Sequence, residues 1–403
     1  MKLKLVLLIL LGFSAAFAKA QVTDPMITNW WFNTTNNMYK GILTDVEKVY
    51  YTTSDVYVKT SGVPNYYQDG VSHNNAKDLK AIWVLPRVQS AASNPTGPQG
   101  GQSGVLIDGS VAFTAGDAQS YNSAGVWNRL AYYFEGMDMD ASNGHSTPTN
   151  MYHHHFDDLK VHNWDSTQHS PIVGYAWDGY PIYGPYGYKN ANGTGGIIRN
   201  TTSYVDTTVS TRANGGPPVT QLYQNGIYYV AGCFIEDWVY VANHGTLDQF
   251  NGRQVVTPEY PNGTYAYFTT VDAALKPIYP YFIGPKLYGN YTNTNVGPNG
   301  GQATVASGAT LYSPTSSGIN EIEEMEANVN LYPIPVVSHL NIKLKENKDY
   351  TVVVYDLKGN VLEKKNISAS SKIDMNHLSY GIYFVEMDET QTGKGFITRV
   401  VKQ

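Results

Sequence analysis

Residues 171–186 read PIVGYAWDGYPIYGPY, two short apolar runs that meet at Asp178-Gly179. Residues 104–113, GVLIDGSVAF, repeat this pattern around a second Asp-Gly pair. Apolar runs joined by Asp-Gly are typical of β-hairpins, and the pair suits a type I′ turn. The two stretches therefore predict antiparallel strand pairs and a chain built on β-sheet.

The composition supports a β-rich extracellular protein. The 403 residues include 33 tyrosines and 38 glycines, and only 15% are charged. Few charges with many aromatic and turn-forming residues favour strands over helices. The net charge of −6 and the absence of a basic patch argue against nucleic acid as a partner. Cys233 is the only cysteine, which excludes an intrachain disulfide and a cysteine-based zinc site.

Residues 1–20 have the pattern of a signal peptide. A basic start precedes the apolar run Leu5–Phe17, and Ala18-Lys19-Ala20 fits a small-x-small cleavage site. No later run is apolar enough to cross a membrane, so we expect an exported protein without a transmembrane span in its mature form.

A histidine-rich segment precedes the second hairpin. Residues 152–155 read YHHH, and in a strand His153 and His155 point to one face while His154 points to the other. Two imidazoles on one face provide half of a coordination sphere for Zn²⁺ or Cu²⁺, which a third histidine or a carboxylate would complete. An open coordination position would make a hydrolase feasible. The candidate ligands are His145, His153, His155, His169, Glu135, Asp138 and Asp178.

Other interpretations of the same residues remain open. The histidines fit structural packing among tyrosines, and Asp178 is a turn former before it is a ligand. Tyr and Trp on a β scaffold also suit a surface-displayed module that binds glycan or polymer without catalysis. No catalytic residue is assigned, and no phosphate loop or dinucleotide fingerprint is present. Residues 262–268, NGTYAYF, echo residues 150–155; this indicates either two equivalent strands or coincidence.

The C-terminal quarter changes character twice. Residues 291–327 are rich in Asn, Thr, Gly and Ser, end in an acidic run, and read as a flexible linker. From residue 328 onward, short strand patterns recur at regular spacing, which predicts a small β-sandwich.

Two family resemblances organise these observations. The run Tyr152–His155, the motif that begins at His169, and the downstream segments Asn251–Arg253 and Thr257–Phe268 resemble the YHYH family of secreted proteins, with His154 in place of the second tyrosine. Tyr332-Pro333, Tyr355-Asp356 and Leu378–Phe384 resemble the type A C-terminal sorting domain of type IX secretion substrates. The second resemblance implies export across the outer membrane, to the cell surface or the medium, with the type IX machinery as partner.

The prediction is therefore a mostly β protein. It comprises a signal peptide (1–20), a large sandwich-like YHYH domain (21–290), a linker (291–327) and an immunoglobulin-like β-sandwich sorting domain (328–403).

Overall fold

The computed structural model describes residues 22–67, 72–98, 101–156, 164–208, 210–224, 226–314, 329–356, 360–390 and 395–403. The predicted signal peptide and residues 315–327 of the predicted linker lie outside these ranges. The chain divides into two compact units, Met1–Ser313 and Pro314–Gln403.

The first unit is made almost entirely of short strands. Its described helices are two four-residue α-helices, α1 (Pro25–Thr28) and α2 (Ala131–Phe134), and 3₁₀ turns at Tyr121–Ser123, Gly136–Asp138, Ile235–Asp237 and Asn293–Asn295. Its strands are β1 (Met38–Tyr39), β2 (Ile42–Leu43), β3 (Val46–Tyr51), β4 (Asp55–Thr60), β5 (Ala81–Pro86), β6 (Gln102–Leu106), β7 (Val111–Phe113), β8 (Gly116–Ser120), β9 (Asn128–Leu130), β10 (Gly144–Ser146), β11 (Tyr152–His154), β12 (Ile172–Ala176), β13 (Pro181–Tyr183), β14 (Tyr186–Tyr188), β15 (Ile197–Arg199), β16 (Tyr204–Asp206), β17 (Leu222–Gln224), β18 (Ile227–Tyr228), β19 (Trp238–Tyr240), β20 (Gly252–Val255), β21 (Thr264–Phe268) and β22 (Thr310–Tyr312).

Two sheets form the body of this unit. One has eight strands in the order β10-β11-β7-β6-β12-β13-β21-β20, and the other has four in the order β22-β3-β4-β5. Apolar side chains of both sheets, such as Val58 and Trp83 from the smaller and Val105 and Ile182 from the larger, are buried in one shared core. The predicted mostly β, sandwich-like architecture is confirmed.

The two Asp-Gly hairpins form as predicted, but their turns are not of type I′. A type I′ turn needs positive φ at both central residues, whereas only Gly109 and Gly179 have it, at 87° and 81°. The amide of Gly179 donates to Ala176, and that of Gly109 donates to Leu106. Each loop is therefore a turn followed by a left-handed glycine, the geometry of a three-residue hairpin loop.

The eight-stranded sheet has two equivalent halves. In each half, a hairpin (β6-β7 or β12-β13) is extended by a strand parallel to its second member (β11 or β21), and an antiparallel strand (β10 or β20) forms the edge. The halves meet at β6 and β12, where Gly104 and Gly174 lie against the opposite backbone; a Cβ on either would come within 2.6 Å of a carbonyl oxygen. The echo between residues 150–155 and 262–268 therefore marks equivalent strands.

A buried tyrosine fixes the edge strand in each half. The Tyr152 hydroxyl donates to Asp140 over 2.7 Å, and the Tyr265 hydroxyl donates to Asp248 over 2.9 Å. Each aspartate also accepts the amide of the first residue of the edge strand, Gly144 or Gly252. We call these contacts the two Tyr–Asp locks.

Much of the predicted linker is part of the first unit. The side chain of Asn295 is buried, donates to the carbonyl of Val84 and accepts its amide. Strand β22 pairs with β3 at the edge of the four-stranded sheet. Polar composition predicted a free connection for 291–314, but parts of this stretch hydrogen-bond to strands β3 and β5.

The second unit, described by itself, is a two-sheet sandwich. Its three-stranded sheet β23-β24-β27 and four-stranded sheet β26-β25-β28-β29 enclose a separate core that contains Leu340, Val354 and Val385. The small β-sandwich predicted for this region is confirmed. The strands are β23 (Val329–Tyr332), β24 (His339–Leu344), β25 (Tyr350–Tyr355), β26 (Val361–Ile367), β27 (Ser371–Asp374), β28 (Gly381–Glu389) and β29 (Gly395–Lys402).

Asp178, in the β12–β13 turn, serves the fold. Its carboxylate is fully buried and accepts the Tyr267 hydroxyl over 2.6 Å and the Gly289 amide over 2.8 Å. Burial raises the pKa of Asp178 to about 6, although the hydrogen bonds act to lower it. The folded protein therefore holds this proton up to a higher pH than the unfolded chain, whose value is 3.8.

This difference predicts a pH-dependent stability. The stabilisation from proton binding at Asp178 is complete below pH 3.8 and is lost as the pH rises to about 6, at about 1.4 kcal/mol per unit of pKa difference. Asp178→Asn cannot titrate, so the wild type should lose about 3 kcal/mol relative to the variant across this window. Urea unfolding followed by tryptophan fluorescence measures this, because all seven tryptophans lie in the first unit. Equal pH dependence in both proteins would contradict the assignment.

Candidate metal centre

The sheet register places three imidazoles together. Strands β10 and β11 are antiparallel, with His145 directly opposite His153. His155 comes directly after β11. It is two residues beyond His153 and so lies on the same side of the sheet. All three side chains are buried, and one ring nitrogen from each lies within 4.8 Å of the others.

Backbone carbonyls orient two of these rings. Nδ1 of His155 donates to the Thr114 carbonyl over 2.6 Å, and Nδ1 of His153 donates to the Met151 carbonyl over 3.2 Å. A carbonyl can only accept, so each Nδ1 carries the proton and each Nε2 presents a lone pair when the ring is neutral. These two Nε2 atoms face each other at 3.0 Å.

Glu135 completes the cluster from outside the sheet. It follows α2, and its Oε2 lies 3.1 Å from Nε2 of His155 and 3.5 Å from Nε2 of His145. Neither Oε2 of Glu135 nor Nε2 of His145 makes a regular hydrogen bond within the described part of the chain. The three ring nitrogens that could hold an ion thus have a carboxylate oxygen beside two of them.

The electrostatics of the cluster suit a cation. Burial acts to raise the pKa of Glu135, but the close approach of the His145 and His155 rings, which attract the carboxylate when they carry a proton, outweighs it and lowers the pKa to about 2. Burial and the neighbouring imidazoles hold the pKa of His153 well below its usual range. The carboxylate is therefore anionic and His153 neutral at physiological pH.

A cavity of about 240 Å³ opens onto the cluster. The Phe113 ring covers His153, with ring centroids 3.9 Å apart. Across the cavity, Nδ1 of the exposed His73 contacts Oδ1 of Asp138 at 2.6 Å. No lysine or arginine is among the described residues that line the cavity.

The structure brings together four of the seven predicted ligands, His145, His153, His155 and Glu135. Asp138 lines the same cavity but pairs with His73. His169 packs against Tyr183, Tyr188 and Phe268 in the other half of the sheet, so the structure does not bring it to the cluster. Asp178 does not join the cluster either, because its carboxylate accepts hydrogen bonds from Tyr267 and Gly289.

Sequence reasoning missed the surroundings of the cluster. His73 lies about 60 residues or more from the ligands in sequence, and no local pattern marks it. The Thr114 carbonyl follows β7, whose parallel pairing with β11 could not be read from either segment alone. The similarity between residues 150–155 and 262–268 was the sequence signal available for that pairing.

Comparison with known proteins identifies two segments. Residues 82–279 match the family model described as YHYH protein, and residues 330–402 match the secretion system C-terminal sorting domain. No curated protein matches the chain.

Two solved structures resemble parts of the chain. A DUF3244 family protein of Bacteroides vulgatus, with an immunoglobulin-like β-sandwich fold, is 21% identical over 19% of this chain and 85% of its own, with a TM-score of 0.17. PorZ of Porphyromonas gingivalis, a surface component of the type IX secretion system, is 12% identical over 88% of this chain and 59% of its own, with a TM-score of 0.17. Likeness at this level carries no argument about function.

The two Tyr–Asp locks provide a matched pair of variants. Tyr152→Phe and Tyr265→Phe each remove a buried hydrogen bond to a carboxylate, so each should cost about 1.5–3 kcal/mol of unfolding free energy. Only Tyr152→Phe loosens β10, which carries His145; it should weaken metal binding by about 10–100-fold, as loss of a supporting contact does. Calorimetric titration with Zn²⁺ measures the difference. Equal affinities in both variants would show that the lock does not position the cluster.

Proposed function

We propose that this chain, whose residues 82–279 are a YHYH domain and whose residues 330–402 are a sorting domain, is an exported protein that holds one divalent transition metal, zinc or copper. The sorting domain indicates export by type IX secretion to the cell surface or the medium. The described residues include no helix long enough to cross a membrane. The ligands in this proposal are His145, His153, His155 and Glu135.

The facing lone pairs of His153 and His155 carry the proposal. Two imidazole lone pairs held 3.0 Å apart in a buried site repel each other unless a cation lies between them. The depressed pKa of His153 disfavours a proton in that role, whereas a metal ion takes lone pairs from neutral imidazoles.

Three of the separations between donor atoms are close to those of tetrahedral coordination. With metal–ligand bonds of about 2.0–2.1 Å, ligand atoms lie about 3.3 Å apart. Separations of 3.0 Å between the two facing histidines, and of 3.1 and 3.5 Å from Glu135 to His155 and His145, fall close to this value. The carbonyls of Thr114 and Met151 supply the second-nitrogen contacts that metal-binding histidines usually make.

The alternative function is glycan binding, which needs an exposed aromatic surface for stacking. The tryptophans do not form such a surface. All seven lie in described parts of the chain, and each is buried or half-buried. Trp83 and Trp177 stack on each other in the core instead.

Metal content tests the proposal directly. The protein purified without chelator should contain about one equivalent of zinc or copper by plasma mass spectrometry. The double variant His153→Ala/His155→Ala lacks two of the four donors, so it should contain no metal. Its β-sheet circular dichroism should be unchanged.

His169→Ala is the matched control, since His169 is also largely buried but lies among aromatic rings away from the cluster. It should keep the full metal content. A metal-free wild type, or full occupancy in the double variant, would make the three histidines structural residues.

Truncation tests the role of the second unit. We propose that residues 328–403 serve export alone, because they form a unit with its own core. Deleting them should retain the protein in the periplasm with unchanged tryptophan fluorescence. Surface display of the truncated protein, or an unfolded fluorescence spectrum, would contradict this division of roles.

A further inference from the structure

The cavity above the metal ligands contains a second arrangement of functional groups. Asp138 lies in the 3₁₀ turn that follows Glu135, and its Oδ1 is 2.6 Å from Nδ1 of His73. The carboxylate fixes the ring so that Nδ1 carries the proton, which leaves Nε2 as a base. A histidine oriented by an aspartate is the usual arrangement of a general base.

The charges of the cavity select among substrates. Glu135 and Asp138 line it, and Asp117 is neutralised by its ion pair with Arg129. Without a lysine or arginine among the described lining residues, the cavity disfavours phosphate and carboxylate groups. A volume of about 240 Å³ accommodates a small group.

We propose that this cavity hydrolyses a neutral ester or amide of modest size, with His73 as general base and Asp138 as positioning residue. This rests on the proposed metal centre, which would polarise that carbonyl as a Lewis acid. His73 Nε2 takes a proton from water as the water oxygen bonds to the carbonyl carbon. The bond to the leaving oxygen or nitrogen then breaks, and the leaving atom takes the proton from His73, so that no oxidant or reductant is needed.

The test uses the full chain loaded with zinc, 4-nitrophenyl acetate as the neutral probe and 4-nitrophenyl phosphate as the anionic one. The wild type should hydrolyse the acetate faster than the His153→Ala/His155→Ala protein does. It should hydrolyse the phosphate at least about tenfold more slowly than the acetate. His73→Ala should lower kcat for the acetate by about 10²–10⁴-fold with unchanged zinc content. Added imidazole should restore part of the activity of this variant, which a structural role would not allow.

Further variants separate the assigned roles. Asp138→Asn should lower kcat with little change in KM. His244→Ala removes an exposed histidine that does not line this cavity, and it should match the wild type.

Two negative results are distinguishable. The protein could bind zinc yet hydrolyse the acetate no faster than the double variant, or His73→Ala could leave the rate unchanged. Either result would overturn the hydrolase proposal and leave the metal centre standing. Absence of bound metal would end both proposals.

Discussion

A buried tyrosine whose hydroxyl donates to a half-buried aspartate fixes each edge of the eight-stranded sheet. In the first half, Tyr152 on β11 reaches across the edge strand to Asp140, which also binds the amide of Gly144. The contact requires glycine at residue 144, because a Cβ there would lie 2.1 Å from the Tyr152 hydroxyl oxygen. The same contact brings β10 against β11 and so sets His145 opposite His153. The candidate site therefore depends on an interaction that involves none of its ligands.

The second half of the sheet keeps this lock and replaces the ligands. The register makes Arg253 the counterpart of His145, Ala266 that of His153, and Phe268 that of His155. The guanidinium of Arg253 packs over the Phe268 ring and donates to the carbonyls of Tyr188 and Lys189. One half thus exposes lone pairs to a cavity, whereas the other fills the equivalent position with its own cation and ring. Two equivalent scaffolds with different side chains show that the fold does not by itself create the site.

Local sequence patterns predicted local structure well and long-range pairing poorly. The two Asp-Gly hairpins and the shared face of His153 and His155 follow from period-two alternation and turn chemistry, which need only neighbouring residues. The choice of Glu135 over Asp178 depends on the position of α2, which packs against β8 and β9, and on the tyrosine that occupies Asp178, and neither contact is local. The stretch 291–314 was misjudged for the same reason, since the side chain of a polar residue such as Asn295 can satisfy backbone groups of a distant strand.

The position of the cluster on the sheet explains how repelling lone pairs can be held together. Strand pairing fixes the backbones of His145 and His153, and carbonyl contacts fix the rings of His153 and His155, so folding orders these groups before any ligand arrives. Ordering four side chains around an ion costs conformational entropy. The core and the Tyr152 lock offset this cost when the protein folds. Glu135 differs, because it follows a four-residue helix and is the most exposed of the four side chains. It is consequently the donor most free to adjust when an ion or substrate enters from the cavity, whereas the three imidazoles stay fixed by the sheet.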